Sequence, residues 1–432
     1  MSLAAELGDS VPTESVNALT EVRERTLALV AGLSDEQLER VHSPLMSPLV
    51  WDLGHIAAFE DLWIGHRYGG LPLLREDLAD TYDAFETPRA RRGELDHLGP
   101  VAARTYLAEV RERSEEVLAE RGPGDGMVVE LIVRHECQHT ETMLQTMQLA
   151  GLCGFEPTPA LTSRAGLPAP SGLELLNVPA GACGIGAAAG GFAYDNERPR
   201  HRVELPAFRI GRFPVTNGDW REWIDAGGYV RPEWWSPEGW TWRAEQRADR
   251  PAAWSTDLTH ESRLGRWEPL DPARPVIHVS FHEASAFATA HGLRLPTELE
   301  WEKAAAWDPV RDEARPLPWG AGAVEIGRHA NLDQLAGGTV GVGTLPDGAS
   351  AVGCEQMLGD VWEWTGSAFG GYPGFAAYPY REYSEVFFGN EYRVLRGGSW
   401  ATRPRVAGTT FRNWDFPQRR QIFAGLRLAG DP

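Results

Sequence analysis

His135-Glu136-Cys137-Gln138-His139 places two imidazoles four residues apart. On a helix such residues lie one above the other, close enough to share a metal ion. The same stretch spells H-E-x-x-H, where the glutamate serves as general base in zinc hydrolases. The pattern points to a metal and leaves open which metal and which chemistry. A catalytic site needs a third ligand. Downstream, His139 is followed by TETMLQTM, which lacks the glycine and histidine of the longer protease motif. Glu156, the first acid beyond this helix, falls in a Gly/Pro-rich stretch and makes a poor rigid ligand. Upstream, His55 shares a mostly apolar face with Trp51 and Phe59, where an unpartnered imidazole is costly. His55, His135 and His139 would form a three-imidazole face with open positions opposite. The plain alternatives are a core histidine satisfied by one hydrogen bond and a chance H-E-x-x-H on a surface helix. His42, His66 and His97 are read as surface residues, and Cys137 as a small buried one.

These residues need helices to hold them. SVNALTEVRERTLALVAGL carries apolar residues at helical spacing, and Ser34-Asp35-Glu36-Gln37 has capping-box form. SPLVWDLGHIAAFEDLWIGHRY, LGPVAARTYLAEVRERSEEVLAER and MVVELIVRHECQHTETMLQTMQLAG give three further helices, the last ending at Gly151. Long helices with short links suggest a bundle. Residues 151–173 then have linker composition, rich in Gly, Pro, Ala and Ser. Beyond them, β-like runs (HRVELPAFRIG, PVIHVSF, YRVLRGGSW, FAGLRLA) alternate with Gly/Trp loops. Helical stretches at TNGDWREWIDAG, HEASAFATAHG and PTELEWEKAAAW interrupt them, which is an α+β pattern.

At 432 residues, more than one domain is expected. The 17 tryptophans suit a loop-rich domain packed by indoles. A net charge of −20 argues against nucleic acid or anionic membrane as partners, so an anionic substrate needs a local arginine cluster. The four scattered cysteines, Cys137, Cys153, Cys183 and Cys354, are no disulfide framework. No secretory signal or membrane span is found, so a cytoplasmic protein is expected. A monomer is expected too.

The segments HSPLMSPLVWDLGHIAAFEDLW and HECQHTETM resemble the DinB-type three-histidine bundle. The version they most resemble is that of the EgtB-type sulfoxide synthases of ergothioneine biosynthesis. VPAGACGIG, ERPRHRVELPAFRIGRFPVTNGDW, RLPTELEWEKAA, LGDVWEWTGS, YRVLRGGSW and FAGLRLA resemble the sulfatase-modifying, formylglycine-generating-enzyme fold. The resemblance implies an all-α DinB-like four-helix bundle over residues 1–150. A linker at 151–173 and an α+β formylglycine-generating-enzyme/C-type-lectin-like domain at 174–432 would follow. Formylglycine-generating enzymes act through a late cysteine pair, and nothing after Cys354 is a cysteine, so that activity is not expected.

The resemblance also implies roles. Fe(II) would be held by His55, His135 and His139, with O2 as co-substrate. The substrates would be hercynine (N-alpha-trimethylhistidine) and gamma-glutamylcysteine, or cysteine. Tyr380 matches the catalytic tyrosine, a proton or hydrogen-atom donor that steers oxidation away from the thiol. Arg89 and Arg92 would clamp the thiol substrate's carboxylates, with Asp415 meeting its amine. Gln138, Tyr383, Asn413 and Trp414 would line the hercynine pocket, the second domain reaching over to the iron. The fold sometimes carries structural calcium, for which this sequence shows no supporting ligand spacing. Two other readings stay open: a zinc hydrolase with Glu136 as base, and a non-catalytic ligand-binding module with a structural metal.

Overall fold

A computed structural model describes residues 10–155, 171–334 and 336–432. The chain divides into two units, Met1–Glu156 and Pro157–Pro432. Most of the sequence-predicted linker, residues 156–170, lies outside the described residues.

The first unit is helical. Helix α1 spans Ser10–Val30 and the short α2 Asp35–Glu39, the latter opened by a Ser34/Gln37 capping box with both reciprocal bonds made. Helix α3 (Leu49–Glu60) follows Pro48 and continues without a break into a π-helical stretch, Asp61–Tyr68. Helix α4 covers Pro100–Arg121 and α5 covers Met127–Ala150. Gly151, at φ 66°, ends α5 in the left-handed conformation that glycine tolerates. Buried Val129, Ile132, Val133, Glu136, Thr140, Met143 and Met147 recur at helical spacing along α5. Helix α3 packs on α4 and α5, and α1 on α5 and α4.

Charge as well as apolar packing fixes this bundle. Arg23 (α1) donates to Glu136 (α5) at 2.9 Å and to Glu60 (α3) at 2.7 Å; Arg111 (α4) donates to Glu60 at 2.8 Å. Burial alone would raise the Glu60 carboxyl, but Arg23 and Arg111 outweigh it and bring it down to about 2.

The second unit is α+β. In chain order it carries β1 (Leu175–Val178), β2 (Gly181–Ile185), β3 (His201–Leu205), β4 (Phe208–Gly211), α6 (Asn217–Asp225) and α7 (Pro237–Gln246). After β5 (His260–Arg263) and β6 (Arg266–Pro269) come α8 (Phe281–Ala290), α9 (Glu298–Ala306), β7 (Trp307–Asp308) and β8 (Glu313–Ala314). The last strands are β9 (Trp362–Phe369), β10 (Gly389–Arg396), β11 (Asn413–Asp415), β12 (Ala424–Leu426) and β13 (Ala429–Gly430). Helices α6, α8 and α9 each start at a Ser or Thr capping box. One sheet runs β11-β10-β9-β12 and another β1-β4-β13. Indoles do pack the core: Trp220 stacks on Phe287 at 4.9 Å, and buried Trp301 donates to Glu363 at 2.7 Å.

One β-like run fails. PVIHVSF forms no strand, because His278 at φ 63° breaks the extended path. Its Nδ1 instead pairs with the Arg420 carbonyl at 3.0 Å.

Candidate metal centre

Helix α3 carries His55 with Trp51 one turn earlier, and the two rings stack at 4.8 Å and 12°. His55 Nδ1 donates to the Tyr82 carbonyl at 2.7 Å. Gly54 permits this approach: a Cβ there would sit 2.1 Å from the Tyr82 ring. With its proton on Nδ1, neutral His55 presents Nε2 as a bare lone pair. That lone pair faces His135 Nε2 at 3.1 Å. His135 is itself held by Phe59, its ring stacked at 3.7 Å and 10°.

His139 lies one turn further along α5, and its Nδ1 is 3.0 Å from Asp52 Oδ1. The ligand nitrogens of His55, His135 and His139 all lie within 4.8 Å of one another. Burial, with the neighbouring imidazoles, holds His55 and His135 well below the usual imidazole range. These two are therefore neutral at physiological pH, the form that ligates metal. Lone pairs of neutral imidazoles brought together repel unless something positive lies between them, so the residues fit a divalent transition metal. Imidazole suits iron, copper, nickel and zinc alike. No other group of this kind occurs among the described residues.

Glu136 serves elsewhere. It is fully buried and accepts from Thr26 Oγ1 at 2.6 Å as well as from Arg23. These partners are on α1, whereas the two motif histidines meet α3. Cys137 is buried, as its position on the helix implied.

The arginine segment is a 3-10 helix, Arg89–Glu94. Arg89 is exposed. Arg92 is buried, with its guanidinium 3.8 Å from the Trp51 ring centre. It donates to the Thr87 carbonyl (2.8 Å), Ser47 Oγ (2.9 Å) and the Ala84 carbonyl (3.1 Å). Burial and Arg89 lower it to about 10, so it stays cationic at neutral pH. The expected clamp thus pairs one exposed guanidinium with one already anchored to the chain. Gln138 is half-buried beside His139 on α5.

In the second unit the sequence-predicted residues gather around β11. Tyr380 meets Tyr383 edge-on at 6.2 Å, and Tyr383 meets Trp414 edge-on at 6.2 Å. Trp414 stacks on Phe369 at 4.2 Å, and Tyr383 on Tyr194 at 4.4 Å. Strand β11 pairs with β10 through Leu395↔Asn413, Val394↔Trp414 and Arg393↔Asp415. It is anchored by buried Arg412, which donates twice to Glu298, at 2.7 and 2.8 Å. Asp415 accepts from the Phe416 amide at 2.8 Å and from Gln421 at 3.1 Å.

Sequence reasoning missed Asp52, Gly54 and Tyr82. Asp52 left only its residue type, an acid three residues before His55, and its contact with His139 left no sign in the sequence. The Tyr82 contact is made by a main-chain carbonyl and left no trace in residue type.

The family model described as the DinB superfamily matches residues 18–143, and that of the sulfatase-modifying factor enzyme 1-like domain matches residues 165–432. The chain is 47% identical to a hercynine oxygenase of Mycobacterium tuberculosis, over 97% of this chain and 99% of that protein. It is 47% identical to the hercynine oxygenase of Mycolicibacterium smegmatis, over 96% and 97% respectively. For that of Mycolicibacterium thermoresistibile the identity is 46%, over 98% and 96%.

Proposed function

The chain belongs to the hercynine oxygenase family, and on that premise we propose that it is the iron- and O2-dependent sulfoxide synthase of ergothioneine biosynthesis. It would join the sulfur of gamma-glutamylcysteine to C2 of the hercynine imidazole. The balance is a four-electron oxidation. A C–H and an S–H bond are replaced by C–S, and the sulfur gains one oxygen. The second oxygen atom of O2 leaves as water with both hydrogens.

The single observation that carries this reading is the convergence of three imidazole ligands, His55, His135 and His139, within 4.8 Å. Fe(II) bound there supplies the one-electron chemistry that lets O2 react with a thiol and an aromatic C–H. His55, His135 and His139 would hold the metal through neutral imidazoles, adding no negative charge of their own. Tyr380 would be the proton or hydrogen-atom donor in the coupling. Tyr383 and Trp414 offer aromatic faces to a trimethylammonium, which has no N–H to give. Asn413 and Gln138 supply amide contacts to the rest of hercynine. Arg89 is the free arm of the carboxylate clamp, Arg92 its fixed positive neighbour, and Asp415 the partner of the substrate amine.

In this reading the working unit is a single cytoplasmic chain acting on two small molecules. Four cysteines, none of them in a disulfide, suit a reducing compartment. No helix among the described residues is long and apolar enough to cross a membrane. The hydrolase alternative loses its base, since Glu136 is held by Arg23 and Thr26. The test is O2 uptake by the Fe(II)-loaded chain. Uptake that needs both hercynine and a thiol supports the reading, and uptake indifferent to hercynine overturns it.

A further inference from the structure

Asp52 is wholly buried in the first turn of α3. An acid in a first helical turn is ordinarily explained by the helix dipole. That explanation does not cover two observations. Asp52 Oδ1 accepts from His139 Nδ1, on a different helix, at 3.0 Å. Asp52 Oδ2 is buried with no hydrogen-bond partner. A carboxylate kept in the interior with one oxygen unsatisfied is costly, unless a nearby positive charge compensates it. Arg92, which interacts electrostatically with Asp52, supplies part of that charge.

We propose that Asp52 is the positioning residue of the metal centre. It holds His139 with its proton on Nδ1, so that Nε2 turns toward His55 and His135. It also sets a formal negative charge beside a ligand set that is otherwise neutral. The ligand it serves is a divalent transition metal, and the inference rests on the three-histidine site binding one. A carboxylate behind a ligating imidazole raises the ring's basicity and fixes its orientation. His55 receives the weaker version of the same support, from the Tyr82 carbonyl.

The experiment titrates the metal-free full-length chain with Co(II) alone and follows the visible absorption of the bound ion. Asp52→Asn keeps the shape and removes the charge; Asp52→Ala removes the acceptor as well. Both are expected to bind Co(II) about 10–100-fold more weakly than the parent chain, Ala more so than Asn. The melting temperature of the metal-free variants should stay near that of the parent. Equal Co(II) affinity in all three overturns the role of Asp52. A parent chain that binds no Co(II) overturns the metal reading itself. An independent measurement needs no variant: proton NMR of the Co(II)-loaded parent should show a strongly shifted, slowly exchanging His139 Nδ1–H. A His139 ring bound through Nδ1, with no such proton, overturns the proposal.

Discussion

Arg23 Nε lies 2.9 Å from Glu136 Oε1, both groups buried inside the helical unit. The pair turns the glutamate of an H-E-x-x-H motif into a bundle tie. Removing one partner of a buried pair leaves an uncompensated charge, at a cost of about 3–5 kcal/mol. Glu136→Gln should therefore lower stability by that order in a denaturant titration, while turnover per folded chain stays within a few-fold. Unchanged stability with abolished turnover would restore Glu136 as a catalytic base.

Arg89 and Arg92 should separate in kinetics. Arg89 is exposed and Arg92 is bonded to Thr87, Ser47 and Ala84. Arg89→Ala should raise KM for gamma-glutamylcysteine about tenfold or more, the loss of one charge-assisted contact, and leave KM for hercynine nearly unchanged. Arg92→Ala should also lower the melting temperature, because it uncovers Trp51. Equal KM effects of Arg89→Ala on both substrates contradict the clamp.

Tyr380→Phe removes one hydroxyl and keeps the ring that meets Tyr383. With its donor gone, oxidation should shift from C–S coupling toward the thiol alone. The ratio of sulfoxide to oxidised thiol, read by mass spectrometry, checks this. An unchanged ratio removes the role assigned to Tyr380.

His278 gives the second unit a specific acid sensitivity. Burial lowers its imidazole from 6.5 to about 4. The unfolded chain then takes up a proton that the folded one refuses, so stability present above pH 6.5 is lost as pH falls toward 4. The loss from this group between pH 7 and 4.5 is about 2–3 kcal/mol. His278→Asn tolerates the φ of 63° and cannot titrate there. Its unfolding free energy should fall less over that interval than the parent's, and parallel pH curves would contradict the assignment. The ring bonds the Arg420 carbonyl, next to the Gln421 that donates to Asp415.

Residue spacing made the helices and the first capping box readable, because Ser34 precedes its Gln37 partner by three positions. It made His55, His135 and His139 readable as well, since helical periodicity puts each on a predictable face. Asp52 and Tyr82 were not legible: their contacts cross between segments, and one uses a backbone oxygen. PVIHVSF misled because alternation records side-chain burial, while the backbone at His278 turns left-handed. Residue type did not distinguish Arg92 from Arg89 in the expected clamp. Only tertiary packing shows the Arg92 guanidinium lying on Trp51.

The most direct measurement loads the chain anaerobically with Fe(II), then adds O2, hercynine and gamma-glutamylcysteine or cysteine in turn. Mass spectrometry reads the product. The expected result is a sulfoxide joining the gamma-glutamylcysteine sulfur to hercynine C2, formed with one O2 per product and absent for His55→Ala. Oxidised thiol with intact hercynine, or product formed by metal-free chain, would contradict it.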